Sequence, residues 1–135
     1  MAADKDRIEM SWIVSARPKD VYDHWLSSKG HTAMTGGAAE VDAAIGGRFS
    51  AWDGYIQGKT KKIEKNKRIV QTWRTADFAK KASDSRIEVT FKSLKGKTQI
   101  TLRHTNLQPG DGAKYTTGWY GFYLQPMTAY FDKPR

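Results

Sequence analysis

Polar and apolar residues alternate along residues 7–16, RIEMSWIVSA. Ile8, Met10, Trp12 and Val14 fall on one side, and Glu9, Ser11 and Ser15 on the other. A period of two marks a half-buried strand. Pro18 follows, suited to the first turn of a helix, where its missing N–H costs nothing. The segment KDVYDHWL then places Val21, Tyr22 and Trp25 at helical spacing. A second short helix or turn is expected over residues 27–33, with Ser27 or Ser28 as its cap. Gly36-Gly37 and Gly46-Gly47 bracket a short strand, AEV, and mark turns or bulges.

From Gly47 the pattern becomes a meander. GRFSAW is one strand, and Asp53-Gly54 is a two-residue hairpin signal. YIQGKTKKI follows and turns at Lys65–Lys67 into RIVQTWR. There Ile69 and Trp73 share one face, and Val70 and Arg74 the other. A looser loop leads to SRIEVTFKS, with Ile87, Val89 and Phe91 facing one way. Lys95-Gly96 closes a hairpin to TQITLRH, with Ile100 and Leu102 inward. Short turns between consecutive strands predict an antiparallel sheet.

The last element is a helix through Gly118–Asp132, GWYGFYLQPMTAYFD. At about 100° per residue, Trp119, Phe122, Tyr123, Met127, Tyr130 and Phe131 share one face, and Tyr120 and Leu124 widen it to roughly 200°. A stripe that wide calls for a concave partner, which a curved sheet supplies. The fold class read from this order is α+β of helix-grip type. A curved antiparallel sheet of about six to seven strands wraps a long C-terminal helix, with two short helices after the first strand. Pro126 lies inside that terminal helix and predicts a kink. The whole chain, 1–135, reads as one domain.

A sheet bent around a helix favours a cavity between them, and such cavities are natural small-molecule sites. The candidate pocket residues are Trp12, Met34, Phe49, Trp73, Phe91, His104, Trp119 and Tyr123. Tryptophan N–H and tyrosine O–H groups would orient a ligand's polar end. His104 shares parity with Ile100 and Leu102, which points it inward, either as a hydrogen-bonded core or rim histidine or as a ligand-contacting base.

Composition narrows the chemistry. With no cysteine, thiol catalysis and thiolate metal sites are excluded. His24, His31 and His104 have no metal-ligand spacing, so no metal is expected. There is no G-x-S-x-G elbow and no phosphate loop, and Glu40, Asp42 and Glu88 form no convincing carboxylate pair. No cofactor is called for. The N-terminus has no apolar run of signal-peptide length, and no stretch approaches the ~18 apolar residues of a membrane span. The expectation is a cytoplasmic protein without a membrane span.

The net charge of +9 is uneven: residues 59–104 carry 14 basic and 4 acidic side chains. The run KTKKIEKNKR contributes Lys59, Lys61, Lys62, Lys65, Lys67 and Arg68, a candidate face for an acidic protein partner or simply a solvated surface. No aromatic is interleaved there, which argues against nucleic acid.

The motifs PKDVYDHWL, IGGRFSAWDGYIQGKTKKI, IVQTWR and GWYGFYLQPMTAYF, in this order, resemble the activator-of-Hsp90-ATPase homologue (Aha1-type) family of the START/Bet v 1-like superfamily. The resemblance covers about residues 8–131. It implies a helix-grip domain with an internal pocket and, from the eukaryotic co-chaperone, a stress-response role beside an Hsp90-type chaperone. The first expectation is a non-enzymatic domain that holds a small hydrophobic or amphipathic ligand between sheet and helix. The second is a protein-interaction module that docks an acidic partner. A cyclase- or lyase-type enzyme using His104, as some superfamily relatives are, comes last.

Overall fold

The computed structural model describes residues 5–133. The order is β1 (Asp6–Val14), α1 (Pro18–Trp25), α2 (Ser28–Thr35), β2 (Glu40–Val41), β3 (Arg48–Ala51), β4 (Ile56–Glu64), β5 (Arg68–Thr75), β6 (Ser85–Leu94) and β7 (Lys97–Leu107). The terminal helix follows in three pieces: α3 (Asp111–Trp119), a π-helical turn (Tyr120–Leu124) and α4 (Gln125–Asp132). The seven strands form an antiparallel sheet in the order β1-β7-β6-β5-β4-β3-β2, the curved helix-grip sheet expected from the pattern.

Local chemistry explains the boundaries. Pro18 begins α1, as its fixed φ favours. Ser27 caps α2 by accepting a hydrogen bond from the Gly30 N–H at 3.0 Å. Gly36 ends α2 in the left-handed region at φ 87°, where a side chain would be strained. In β4 the register slips between Thr60 and Lys62, a bulge that turns Lys61 and Lys62 both to solvent.

Ile8, Trp12, Ile69, Trp73, Ile87, Val89, Ile100 and Leu102 point from the sheet into the core. The outer face carries a chain of charges: Arg68 pairs with Glu64 and Glu88, and Arg103 with Glu88 and Glu9.

The terminal helix departs from the expected geometry in two ways. It begins at Asp111, seven residues earlier than the aromatic pattern implied. Its N-terminus is capped from another element: the Asp6 carboxylate on β1 accepts the Gly110 and Gly112 N–H groups at 2.9 and 2.8 Å. A negative group there also suits the helix dipole.

The second departure is the stripe. Tyr115, Trp119, Tyr123, Met127 and Phe131, each four residues apart, are buried, whereas Tyr120 and Phe122 are exposed. In a plain α-helix a spacing of four drifts by ~40° per step. The π turn, where the Gln125 N–H reaches the Tyr120 carbonyl, takes up part of that drift. It also lies just before Pro126, which has no N–H to offer the preceding turn. The wide turn is how this helix accommodates the proline.

Candidate functional site

A cavity of about 240 Å³ lies between one end of the sheet and the terminal helix. The sheet side supplies Tyr55 and Ile56 at the start of β4 and Trp73 on β5. Helix α3 supplies Lys114, Tyr115, Thr117, Gly118 and Trp119, and the π turn supplies Phe122 and Tyr123. A Cβ built on Gly118 would meet nothing closer than Phe122 Cδ2 at 3.9 Å, so the missing side chain leaves real space.

The wall is held by buried hydrogen bonds. Trp119 donates its indole N–H to His104 Nδ1 at 3.0 Å. His104 therefore carries its proton on Nε2 and donates it to Ser85 Oγ at 2.8 Å, and Ser85 in turn donates to the Trp73 carbonyl at 2.7 Å. Rings of Trp73, Tyr115 and Trp119 surround this imidazole. Burial pushes its pKa from 6.5 down to about 3. His31 makes a second anchor. Its Nδ1 donates to the Trp25 carbonyl at 2.9 Å, and its Nε2 accepts the Tyr123 hydroxyl at 2.8 Å. Burial drives its pKa to about 4, against the opposing pull of that carbonyl, and the same burial pushes the Tyr123 hydroxyl far above its ordinary value.

Charge gathers only at the rim. Asp77 Oδ2 accepts from the Tyr55 hydroxyl at 2.6 Å and from Lys114 Nζ at 2.8 Å. These two bonds, Lys114 before Tyr55, hold the Asp77 carboxyl below its usual range despite some desolvation. Tyr115 shares a 2.8 Å hydrogen bond with Thr75. Phe122, partly exposed to solvent, packs at a tilt against Trp52 with ring centroids 4.7 Å apart. Trp52 has φ 51°, rare for a bulky residue, and its ring rests where a Gly37 Cβ would be, 2.4 Å away.

Of the eight residues expected to line a pocket, Trp73, Trp119 and Tyr123 line this cavity. His104 lies directly behind it, fully buried and in reach of neither cavity nor solvent. Trp12, Met34 and Phe91 are packed in the core, Trp12 with its indole nitrogen buried and unpartnered. Phe49 belongs instead to a broad polar groove on the sheet, with Arg48, Lys59 and Arg74. Sequence reasoning missed Tyr55, Lys114, Tyr115, Gly118 and Phe122 as lining residues. The signal for Tyr115 was present: it continues the spacing of four from Trp119 and Tyr123 back beyond the expected start of the helix at Gly118.

On the basic face, Lys59, Lys61, Lys62, Lys65 and Lys67 are exposed and form no salt bridge among the described residues. Arg68 differs, being bound to Glu64 at 3.1 Å and to Glu88. Among the described residues no group of three or more His, Asp or Glu side chains could hold a metal ion. No helix of the described residues is long and apolar enough to cross a membrane.

Residues 15–132 match the family described as Activator of Hsp90 ATPase homolog 1-like protein. The chain belongs to that family. Among curated proteins it is 32% identical over 104 residues to an activator of 90 kDa heat shock protein ATPase homolog from Dictyostelium discoideum, a match covering 76% of this chain and 27% of that one. The chain thus spans about a quarter of the length of that relative. Among solved structures, an HSP90 activator from Plasmodium falciparum superposes with a TM-score of 0.84 at 26% identity, covering 95% of this chain and 97% of that chain. The Aha1 dimer from Colwellia psychrerythraea shares the fold, with a TM-score of 0.77 at 17% identity over 94% of this chain and 97% of that chain. Both superpositions show the helix-grip fold, and the family match with the Plasmodium structure places the chain in the Aha1-type, START/Bet v 1-like class.

Proposed function

We propose that this chain is a non-enzymatic binding domain that holds a small apolar or amphipathic molecule between its sheet and terminal helix, in the cytoplasm. The observation that carries the reading is the 240 Å³ cavity with its mostly aromatic wall. Cores are otherwise close-packed, and a space of this size is unusual unless it has an occupant. The enclosed His104, the one histidine considered for catalysis, supports binding over chemistry. Native mass spectrometry of protein purified from its own host tests the reading. An extra mass of about one to a few hundred daltons, lost on denaturation and absent in Gly118→Leu, is the expected result. Retention of the same mass by Gly118→Leu would place the ligand elsewhere and sink the proposal.

A second reading, a co-chaperone-like module docking an acidic protein such as an Hsp90-type chaperone, is favoured by the five lysines of β4 and the β4–β5 turn, which are exposed and form no salt bridge among the described residues. The names of the Dictyostelium and Plasmodium relatives point the same way. Under this reading, Lys61→Glu, Lys62→Glu and Lys65→Glu together abolish association measured by surface plasmon resonance. Undiminished binding by the triple variant would remove the basic face from the interaction.

A further inference from the structure

The chemistry of the cavity wall restricts what it can hold, granted the binding reading above. Size comes first. An apolar cavity of about 150 Å³ accepts a benzene ring. One of about 240 Å³ has room for two fused rings. The wall offers ring faces and edges from Trp73, Tyr115, Trp119, Phe122 and Tyr123, and pairs of aromatic rings favour offset or edge-on contact with another flat ring.

Charge comes second. Lys114 is the charged residue of the wall, and it is neutralised by Asp77, which also holds the Tyr55 hydroxyl. A carboxylate ligand would have to displace Asp77, and an ammonium ligand would meet Lys114. Each would pay desolvation in a cavity with little else to offer a charge.

Hydrogen bonding comes third. Of the polar side-chain groups in the wall, Tyr55, Lys114, Tyr115, Trp119 and Tyr123 are all bonded to protein partners. Thr117 donates back to the Ala113 carbonyl. The exception is Trp73. The residue is 3% exposed, and no hydrogen bond among the described residues uses its indole N–H. Among the described residues the sealed, orphaned indole nitrogens belong to Trp12 and Trp52, not to Trp73. Trp73 is a lining residue of the cavity.

We propose that the cavity takes an uncharged, flat molecule of about two fused aromatic rings that carries one hydrogen-bond acceptor, received by the indole N–H of Trp73. Naphthalene and quinoline test this directly, because they match in shape and differ by one ring acceptor. Both should bind the purified protein in isothermal titration, quinoline about fivefold tighter, the worth of one ordinary hydrogen bond. Quinoline, and not naphthalene, should shift the Trp73 indole N–H resonance downfield in a nitrogen–proton NMR spectrum. In Trp73→Phe the two ligands should bind equally. 2-Naphthoate and 1-naphthylmethylammonium should each bind at least tenfold more weakly than naphthalene. Equal affinity of quinoline and naphthalene for the unaltered protein overturns the Trp73 assignment without needing the variant to fold. A charged probe that binds as tightly as naphthalene overturns the uncharged class but leaves the binding domain standing. If none of the four probes perturbs the wall resonances, the binding reading itself falls, and this inference with it.

Discussion

Gly118 is the sharpest place to test how much room the cavity offers. It sits on α3 in the wall, and an added Cβ would find only Phe122 Cδ2 at 3.9 Å. Two substitutions separate two effects. Gly118→Ala removes the entropic cost of glycine inside a helix and should stabilise by about 0.8–1.0 kcal/mol. Gly118→Leu gains nearly the same helix propensity and also pushes a branched chain into the void. Each buried methylene is worth about 0.8 kcal/mol, and the cavity opens to a rim, so about 1–2 kcal/mol beyond alanine is expected. For a chain of 135 residues, leucine should raise Tm by roughly 6–10 °C in total. Urea unfolding followed by circular dichroism gives both values, and an unchanged m-value confirms that native and unfolded states remain comparable. A leucine variant less stable than the alanine variant would mean that the space is closed to a side chain, and the reasoning from cavity to ligand would fail.

Other consequences follow from the same geometry. His31 and His104 stay neutral in the folded state to about pH 4 and about pH 3, whereas an unfolded histidine protonates near 6.5. The unfolded chain therefore binds more protons below pH 6.5, and stability falls with acid through that window while holding above it; at pH 5 the loss should be about 4 kcal/mol for the pair, and a flat urea-denaturation profile from pH 7 to 5 would contradict it. Asp6→Ala removes the carboxylate that holds the Gly110 and Gly112 N–H groups and should cost about 1–2 kcal/mol in unfolding free energy; Asp6→Asn, which keeps an acceptor, should recover part of it. Gly37→Ala would place a Cβ 2.4 Å from the Trp52 ring, so it should cost about 1–3 kcal/mol and alter the tryptophan fluorescence; an unperturbed variant would show the loop to be loose.

The fold was legible because its signals were periodic. β1, β6 and β7 alternate cleanly, and the turns at Asp53-Gly54 and Lys95-Gly96 break the meander where the structure breaks it. The site was less legible, for physical reasons. Strand parity shows that a side chain points inward, but not whether it meets another side chain or a space. Trp12, Met34 and Phe91 point inward and are packed, while Trp73 points inward and walls a cavity. Helical periodicity assumes 3.6 residues per turn, and the π turn at Tyr120–Leu124 breaks that assumption. The stripe of four-residue spacing from Tyr115 to Phe131 was hidden by it, and Phe122 was assigned to the buried face when it stands at the rim. Arg68 looks like its lysine neighbours in sequence, but only the fold brings Glu88 beside it.

A cavity of this kind needs a reason not to collapse, and the wall provides one. An empty, enclosed apolar space costs about 24 cal/mol per Å³, so 240 Å³ would cost at most about 6 kcal/mol. Collapse would relieve that cost by moving the wall rings inward. Four of the six wall rings, however, are tied by a polar group to something behind them: Trp119 to His104, Tyr123 to His31, Tyr115 to Thr75 and Tyr55 to Asp77. Leaving one such buried group unsatisfied costs about 1–3 kcal/mol. Three of these ties are buried, and together they are comparable to what closing the space would recover. The two neutral histidines are therefore structural in a specific sense, since they hold Trp119 and Tyr123 back from the space those rings would otherwise fill. A phenylalanine at Tyr123 removes one tie while preserving the ring, and should let the wall creep inward. The expected signature is weaker binding of naphthalene with stability changed by less than the lost hydrogen bond alone would imply. If Tyr123→Phe binds naphthalene as the unaltered protein does, the ties are not what keeps the cavity open.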